Sequence, residues 1–174
     1  SALPLGGLTD IIGTGPCIVL APHPDDESLG CGGLIASCVA AGRPPIVLIL
    51  TDGAGSHPRS AAYPPDRLRA LRQQEAIAAV AALGLSADRL HFLAQQDTAA
   101  PTGGAAFDAV VATILRLAPA AATAILAPWR HDPHGDHAAA ALVAEQVAAL
   151  RGLRLVSYPV WGWTLPPAAE IDAP

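Results

Sequence analysis

The sequence predicts an α/β protein: a three-layer α/β/α, Rossmann-like fold around a mainly parallel five-stranded sheet, ordered 3-2-1-4-5. Three observations lead there. Short runs such as CIVLA (17–21), PIVLIL (45–50) and TAILAP (123–128) are almost wholly apolar, the pattern of strands buried on both faces. They alternate with longer Ala-rich segments of helical length. The residues that carry chemistry cluster just after the strands, where an open parallel sheet binds its ligands.

The elements follow in order. CIVLA (17–21) is the first strand, and LGCGGLIASCVAAG (29–42) is a helix stopped by Gly42 and the Pro44-Pro45 pair. PIVLIL (45–50), rich in β-branched residues, is the second strand. Residues 64–84 form the clearest helix: it opens on prolines, offers an apolar face through Leu68, Leu71, Ala78 and Leu83, and closes at Gly84. RLHFLA (89–94) is the third strand, 105–118 a helix ended by Pro119, and 123–128 the fourth strand. A helix over 135–152 and a strand over 153–161 complete the set, before an irregular Pro/Ala-rich tail. There is no internal repeat and no linker, so 1–174 reads as a single domain.

Composition excludes several classes. The chain has 174 residues, 52% hydrophobic and 14% charged, enough for one real core and unlike a disordered chain. A net charge of -5 argues against a nucleic-acid surface, which needs a basic face. All ten basic residues are Arg, Met is absent and Ala abundant, as in GC-rich bacterial coding. Arg43-Pro44-Pro45, Asp108, Arg116 and Pro119 break the apolar runs well short of the roughly 20 residues that span a bilayer. The N-terminus SALPLGGLTD lacks the features of a signal peptide. Cys17, Cys31 and Cys38, odd in number and without a CxxC pair, fit small buried residues in a reducing compartment. The expected location is cytoplasmic.

Four connections deliver ionisable or polar groups to one rim of the sheet. They are His23-Pro24-Asp25-Asp26-Glu27, Thr51-Asp52-Gly53, Gln95-Gln96-Asp97, and the HDPHGDH segment with His131, Asp132, His134, Asp136 and His137. The opposite connections, AGRPP and GLSADR, carry little chemistry. Carboxylates together with imidazoles suit a zinc-like divalent ion, which would also relieve the repulsion among adjacent acids. A catalytic site takes three protein ligands; His23 and Asp26 supply two from one loop, and a histidine of HDPHGDH supplies a third. Spacing alone does not choose which. The competing reading is that Asp25, Asp26 and Glu27 merely favour a helix N-terminus; the second motif argues against it. No GxGxxG follows the first strand, so no dinucleotide is implied.

PHPDDE followed downstream by DPHGDH resembles the PIG-L/LmbE-like zinc-dependent N-deacetylases, of the N-acetylglucosaminyl deacetylase type. TDG, LRQQEA, FLAQQD and YPVWGW are similar to that family's pattern as well, so the resemblance covers Cys17 to about Trp163. It implies that His23, Asp26 and His137 hold Zn2+ or another divalent metal, and that Asp25 is the general base. It implies that His134, oriented by Asp136, stabilises the oxyanion or acts as an acid, and that Arg72, Asp97 and Asp52 lie near the substrate. The implied reaction removes an N-acetyl group from a GlcNAc-type amino sugar or glycoconjugate, with no nucleic acid and no membrane span as partner. Gly135 stands where proline is common, and relatives usually continue for several tens of residues past this chain's end.

Alternatives stand beside these readings. The chain could be a metal hydrolase of another amide or ester, or a non-catalytic metal- or sugar-binding homologue. His131 and Asp132 either join the site or only shape their loop. Trp161 and Trp163 either line a pocket or pack the tail. His91 reads as a core histidine, His57 as an exposed loop residue, and Arg72 as either a site residue or a surface partner of Glu75 one turn on. The sequence is silent on oligomeric state.

Overall fold

Complete burial of the central strands sets the architecture. The computed structural model describes residues 6–57 and 59–166; the tail beyond Pro166 lies outside the described residues. Five strands, β1 (Cys17–Ala21), β2 (Ile46–Thr51), β3 (Leu90–Gln95), β4 (Ala124–Pro128) and β5 (Arg154–Tyr158), form one sheet in the order β3-β2-β1-β4-β5. Every pairing is parallel. β1, β2 and β4 are buried at every residue, as strands covered on both faces must be.

Alternate residues of these strands serve two cores. Cys17, Val19 and Ala21 face α2 (Asp26–Ala40) and α3 (Pro65–Ala82), meeting Cys31, Ile35, Cys38, Ala76 and Val80. Ile18 and Leu20 face α4 (Gly104–Leu117) and α5 (Gly135–Arg151), meeting Val110, Ile114, Val143 and Val147. The three cysteines are free and buried in or beside the first core. A short α1 (Leu8–Ile12), which the sequence reading omits, puts Ile12 into that core as well.

Three details depart from the sequence expectation. α2 begins at Asp26, inside the acidic motif, three residues before the predicted start. The fifth strand ends at Tyr158, and Trp161–Thr164 form a turn of 3-10 helix. The buried face of α3 runs through Leu68, Ala76 and Val80, with Ala78 exposed. Arg72 falls on the same four-residue spacing as that face, which carries its guanidinium toward the sheet.

Successive strands run outward from β1 to β3, and the chain then returns to place β4 on the other side of β1. The crevice between the carboxyl ends of β1 and β4 is the topological switch point, the usual ligand site of such sheets. Among the described residues no helix is long and apolar enough to cross a membrane.

Close packing fixes α2 against β5 beside this crevice. The Tyr158 hydroxyl donates to the Leu20 carbonyl at 2.8 Å, and its ring packs against Gly30, where an added Cβ would sit 2.2 Å from the ring. The ring is buried and tied at its hydroxyl, which restricts its retreat. Gly30→Ala should therefore destabilise the protein by about 3 kcal/mol in urea unfolding. A loss below about 1 kcal/mol would mean that α2 is free to shift off Tyr158.

Candidate metal centre and catalytic cleft

The loop after β1 turns sharply into α2. Asp25 stands at the helix N-cap with φ 141° and ψ -27°, a conformation rare for a residue with a side chain. Its side chain makes no capping hydrogen bond, contrary to the helix-cap reading; it accepts instead from Arg72 Nη2 at 2.7 Å. The strained backbone is held by Glu27, which is wholly buried: Oε2 accepts the Asp25 N–H at 2.9 Å and Oε1 the Ser28 hydroxyl at 2.7 Å.

Asp26 points the other way, under β1. Its Oδ2 accepts the His23 N–H at 3.1 Å, lies 3.1 Å from His23 Nδ1, and lies 3.3 Å from His137 Nε2. His137 comes from the first turn of α5, after β4, so the two motifs meet across the switch point.

Hydrogen-bond roles show what these three groups require. His137 is fully buried, and its Nδ1 is 2.9 Å from Asp132 Oδ2, an oxygen that already accepts two backbone N–H groups. In the neutral ring Nδ1 is therefore the donor and Nε2 carries the lone pair; Nε2 is buried with no hydrogen-bond partner among the described residues. His23 Nε2 lies 3.0 Å from Asp136 Oδ2 and 3.3 Å from Asp97 Oδ1, so it too donates outward. In the neutral ring, His23 Nδ1 then offers a lone pair to the same point. His23 Nδ1 and His137 Nε2 thus both approach the one oxygen, Asp26 Oδ2. Separations of 3.1 and 3.3 Å from the shared oxygen are close to the roughly 3.3 Å edge of a tetrahedron with bonds of about 2.0 Å. A donor set of this kind, with each imidazole backed by a carboxylate, fits a divalent cation such as zinc.

Among the described residues, the groupings whose ligand atoms all lie within 4.8 Å of one another are His23 with His134 and His137, and His23 with Asp97 and Asp136; the set built on Asp26 rests on the two distances to its Oδ2. The local hydrogen bonds argue against both as the primary set. His134 Nδ1 accepts the Asp136 N–H at 3.2 Å, which makes its Nε2 the donor and not a ligand in the neutral ring. Asp136 is filled by the N–H groups of Thr98 at 2.8 Å and Ala100 at 3.0 Å, and Asp97 by that of Gly55 at 2.8 Å.

The electrostatics follow the contacts. Burial alone would raise the Asp26 pKa, but without a cation the His137 and His23 rings hydrogen-bond to it and hold it down at about 2. Burial disfavours a charged His23, yet its bonds to Asp136, Asp26 and Asp97 raise its pKa to about 11, so its Nδ1 offers a lone pair only when a cation takes the place of that proton. Asp136 is likewise held near 2, with His23 and the Ala100 and Thr98 N–H groups outweighing burial. Asp25 goes up, because burial outweighs its bond to Arg72. His134 goes down, through burial and the neighbouring charge of His23 and His137.

A cleft of about 440 Å³ opens over this centre. Of the residues singled out from sequence, His23, Asp25, Asp26, Arg72, Asp97 and His134 line it. His137 and Asp136 lie just beneath, both buried. Asp52 is placed differently from its expected substrate contact: it does not line the cleft. Arg69 engages it at 2.8 and 3.0 Å, and it accepts the N–H groups of Ala54 and Asp97, so it anchors the loop. Asp136 also differs from its expected role: its carboxylate orients His23, and only its backbone N–H reaches His134. Arg72 combines its two readings: it lines the cleft, where it reaches Asp25, and it also reaches Glu75 at 3.3 Å. Trp161 forms part of the cleft wall, whereas Trp163 is 76% exposed beside Trp129 in a neighbouring hollow. His57 is exposed, and His91 is partly buried in a separate groove between β3 and α4. Of the two loop residues that sequence reasoning left undecided, His131 lies beside Trp129 and does not line the cleft, whereas Asp132 meets His137, its neighbour in the motif.

Comparison with known proteins agrees with the fold. No curated protein sequence matches significantly. Among solved structures, N,N'-diacetylchitobiose deacetylase from Pyrococcus horikoshii superposes with a TM-score of 0.68 at 22% identity, over 78% of this chain and 49% of its own. A conserved protein of Thermus thermophilus gives 0.66 at 29% identity, over 84% and 66%. The 4-carboxy-2-hydroxymuconate hydratase of Pseudomonas putida gives 0.66 at 22% identity, over 79% and 57%. The chain thus spans half to two thirds of the length of these three, and the likeness to the deacetylase and the hydratase is one of fold. The family profile described as GlcNAc-PI de-N-acetylase matches residues 18–148, from β1 through both motif-bearing loops and into α5, and the chain belongs to this PIG-L family.

Proposed function

We propose that the protein is a metal-dependent hydrolase that removes the N-acetyl group of a GlcNAc-type amino sugar or glycoconjugate. The observation that carries the metal part is the lone pair of buried His137 Nε2, facing the Asp26 carboxylate at 3.3 Å with nothing to donate between them. Family membership and a cleft lined by Arg72, Asp97 and His134 support the amino-sugar part.

His23, Asp26 and His137 would hold zinc or another divalent ion, which would supply Lewis-acid activation of water and of the amide carbonyl. Asp25, on the cleft side of the same turn, takes the proton of the attacking water. Arg72 fixes that carboxylate at 2.7 Å, and the raised pKa makes it a better base than an ordinary surface carboxylate. His134 faces the cleft with Nε2–H as donor and stabilises the oxyanion that develops on the carbonyl oxygen. Asp25 then returns its proton to the leaving amine, giving acetate and a free amino sugar. Asp97 and Arg72 lie where sugar hydroxyls would be bound, and Asp52 supports them from behind through the Asp97 N–H.

Acetate release from N-acetylglucosamine and its glycosides should be abolished by a chelator and restored by zinc or another divalent ion. Metal-loaded protein without turnover on a broad N-acetyl panel would remove the deacetylase reading. Asp25→Ala should retain the metal while losing about 100- to 10,000-fold in kcat; loss of metal instead would assign Asp25 as a ligand. His137→Ala should weaken metal binding, followed by calorimetry, far more than His134→Ala. The reverse order would move the third ligand to His134.

A further inference from the structure

Resting on the reading of His137 as a metal ligand, we propose that Asp132 is a positioning residue that couples the metal centre to the aromatic wall of the substrate cleft. The four protein groups around its carboxylate come from two separate elements. From α5, the ring of His137 donates Nδ1–H to Oδ2 at 2.9 Å. From the turn after β5, the N–H groups of Val160 and Trp161 donate to the same oxygen at 3.0 and 3.2 Å, and that of Gly162 donates to Oδ1.

Asp132 is 3% exposed and His137 is wholly buried, so these bonds have little competition from solvent. Val160 and Trp161 in turn line the cleft above the metal-binding groups. Trp161 remains 51% exposed in this position, a large ring offered to a ligand instead of to the core. One carboxylate therefore sets both the orientation of His137 and the position of the wall that meets the substrate.

Gly162 shows how closely the turn is held. A Cβ there would lie 2.8 Å from Asp132 Oδ1, 3.1 Å from the Pro159 Cβ and 3.2 Å from the Trp129 ring. Three successive backbone donors can close on a single carboxylate because the third carries no side chain.

Two consequences follow. In Asp132→Asn, one acceptor oxygen and the negative charge are lost at nearly constant shape. Zinc affinity, read by calorimetry, should fall about 10- to 100-fold, and KM for the N-acetylated substrate at saturating zinc should rise about tenfold. Circular dichroism reports whether the variant is folded. If only one of the two parameters moves, or neither does, the coupling is wrong. In the unsubstituted protein, zinc should slow hydrogen exchange at the Val160, Trp161 and Gly162 amides by about tenfold, because immobilising His137 immobilises their shared acceptor. This measurement decides the matter if Asp132→Asn does not fold, and unchanged exchange at those amides on zinc binding overturns the proposal. A protein that binds no divalent ion overturns it together with the metal reading. A protein that binds zinc and releases acetate, but passes neither test, loses only the coupling.

Discussion

The site depends on one confrontation: the lone pair of His137 Nε2 against the Asp26 carboxylate, 3.3 Å apart and out of reach of water. With the ring neutral, two acceptors at that distance in a low-dielectric interior repel each other unless a proton or a cation stands between them. Folding nevertheless brings them together, because β1 and β4 are neighbours at the switch point and both strands are too buried to slide. The register of Cys17 to Val19 on Ala124 to Leu126 sets how far each loop reaches beyond the sheet. The apolar strands, which do no chemistry, thus impose the charge arrangement that a cation would relieve.

Three consecutive acids meet three different environments within one turn of chain. Glu27 goes inward and holds backbone and the Ser28 hydroxyl. Asp26 goes under the sheet edge, between two imidazoles. Asp25 goes into the cleft, against Arg72. Helical geometry separates neighbouring side chains by about 100°, and the strained Asp25 dihedral widens the division at the point where two adjacent carboxylates must do different work. The pKa directions follow: Asp26 down, Asp25 and Glu27 up.

Much of this was legible in the sequence. Strands apolar at every position announced a covered parallel sheet, and the polar segments that follow them announced which rim would be active. The helix over 29–42 was placed late because three acids look like a loop, yet acidic residues are favoured in a first helical turn. The α3 face was misread through Ala78, since alanine gives almost no contrast between buried and exposed positions; the four-residue series through Leu68, Ala76 and Val80 would have predicted that Arg72 turns toward the sheet. Asp52 and Asp136 were given substrate-side or His134-side roles because a motif names residues without saying which atom of each is already engaged. Their oxygens are filled by Arg69 and by backbone N–H groups, partners distant in sequence or silent in it.

The strain at Asp25 connects fold to chemistry. A positive φ at a residue with a side chain costs on the order of 1–3 kcal/mol, and Glu27 adds the further cost of burying a carboxylate to hold it. A protein selected for stability alone would place glycine at the first position and an apolar residue at the second. Both departures share one outcome, the presentation of the Asp25 oxygens to the cleft, 2.7 Å from Arg72 and one residue from the metal-facing Asp26. A helix cap needs none of this, and a purely metal-binding loop needs only Asp26 and His23. Energy stored at Asp25 fits the general-base role proposed for it, a carboxylate held in the cleft before substrate arrives, better than it fits simple binding.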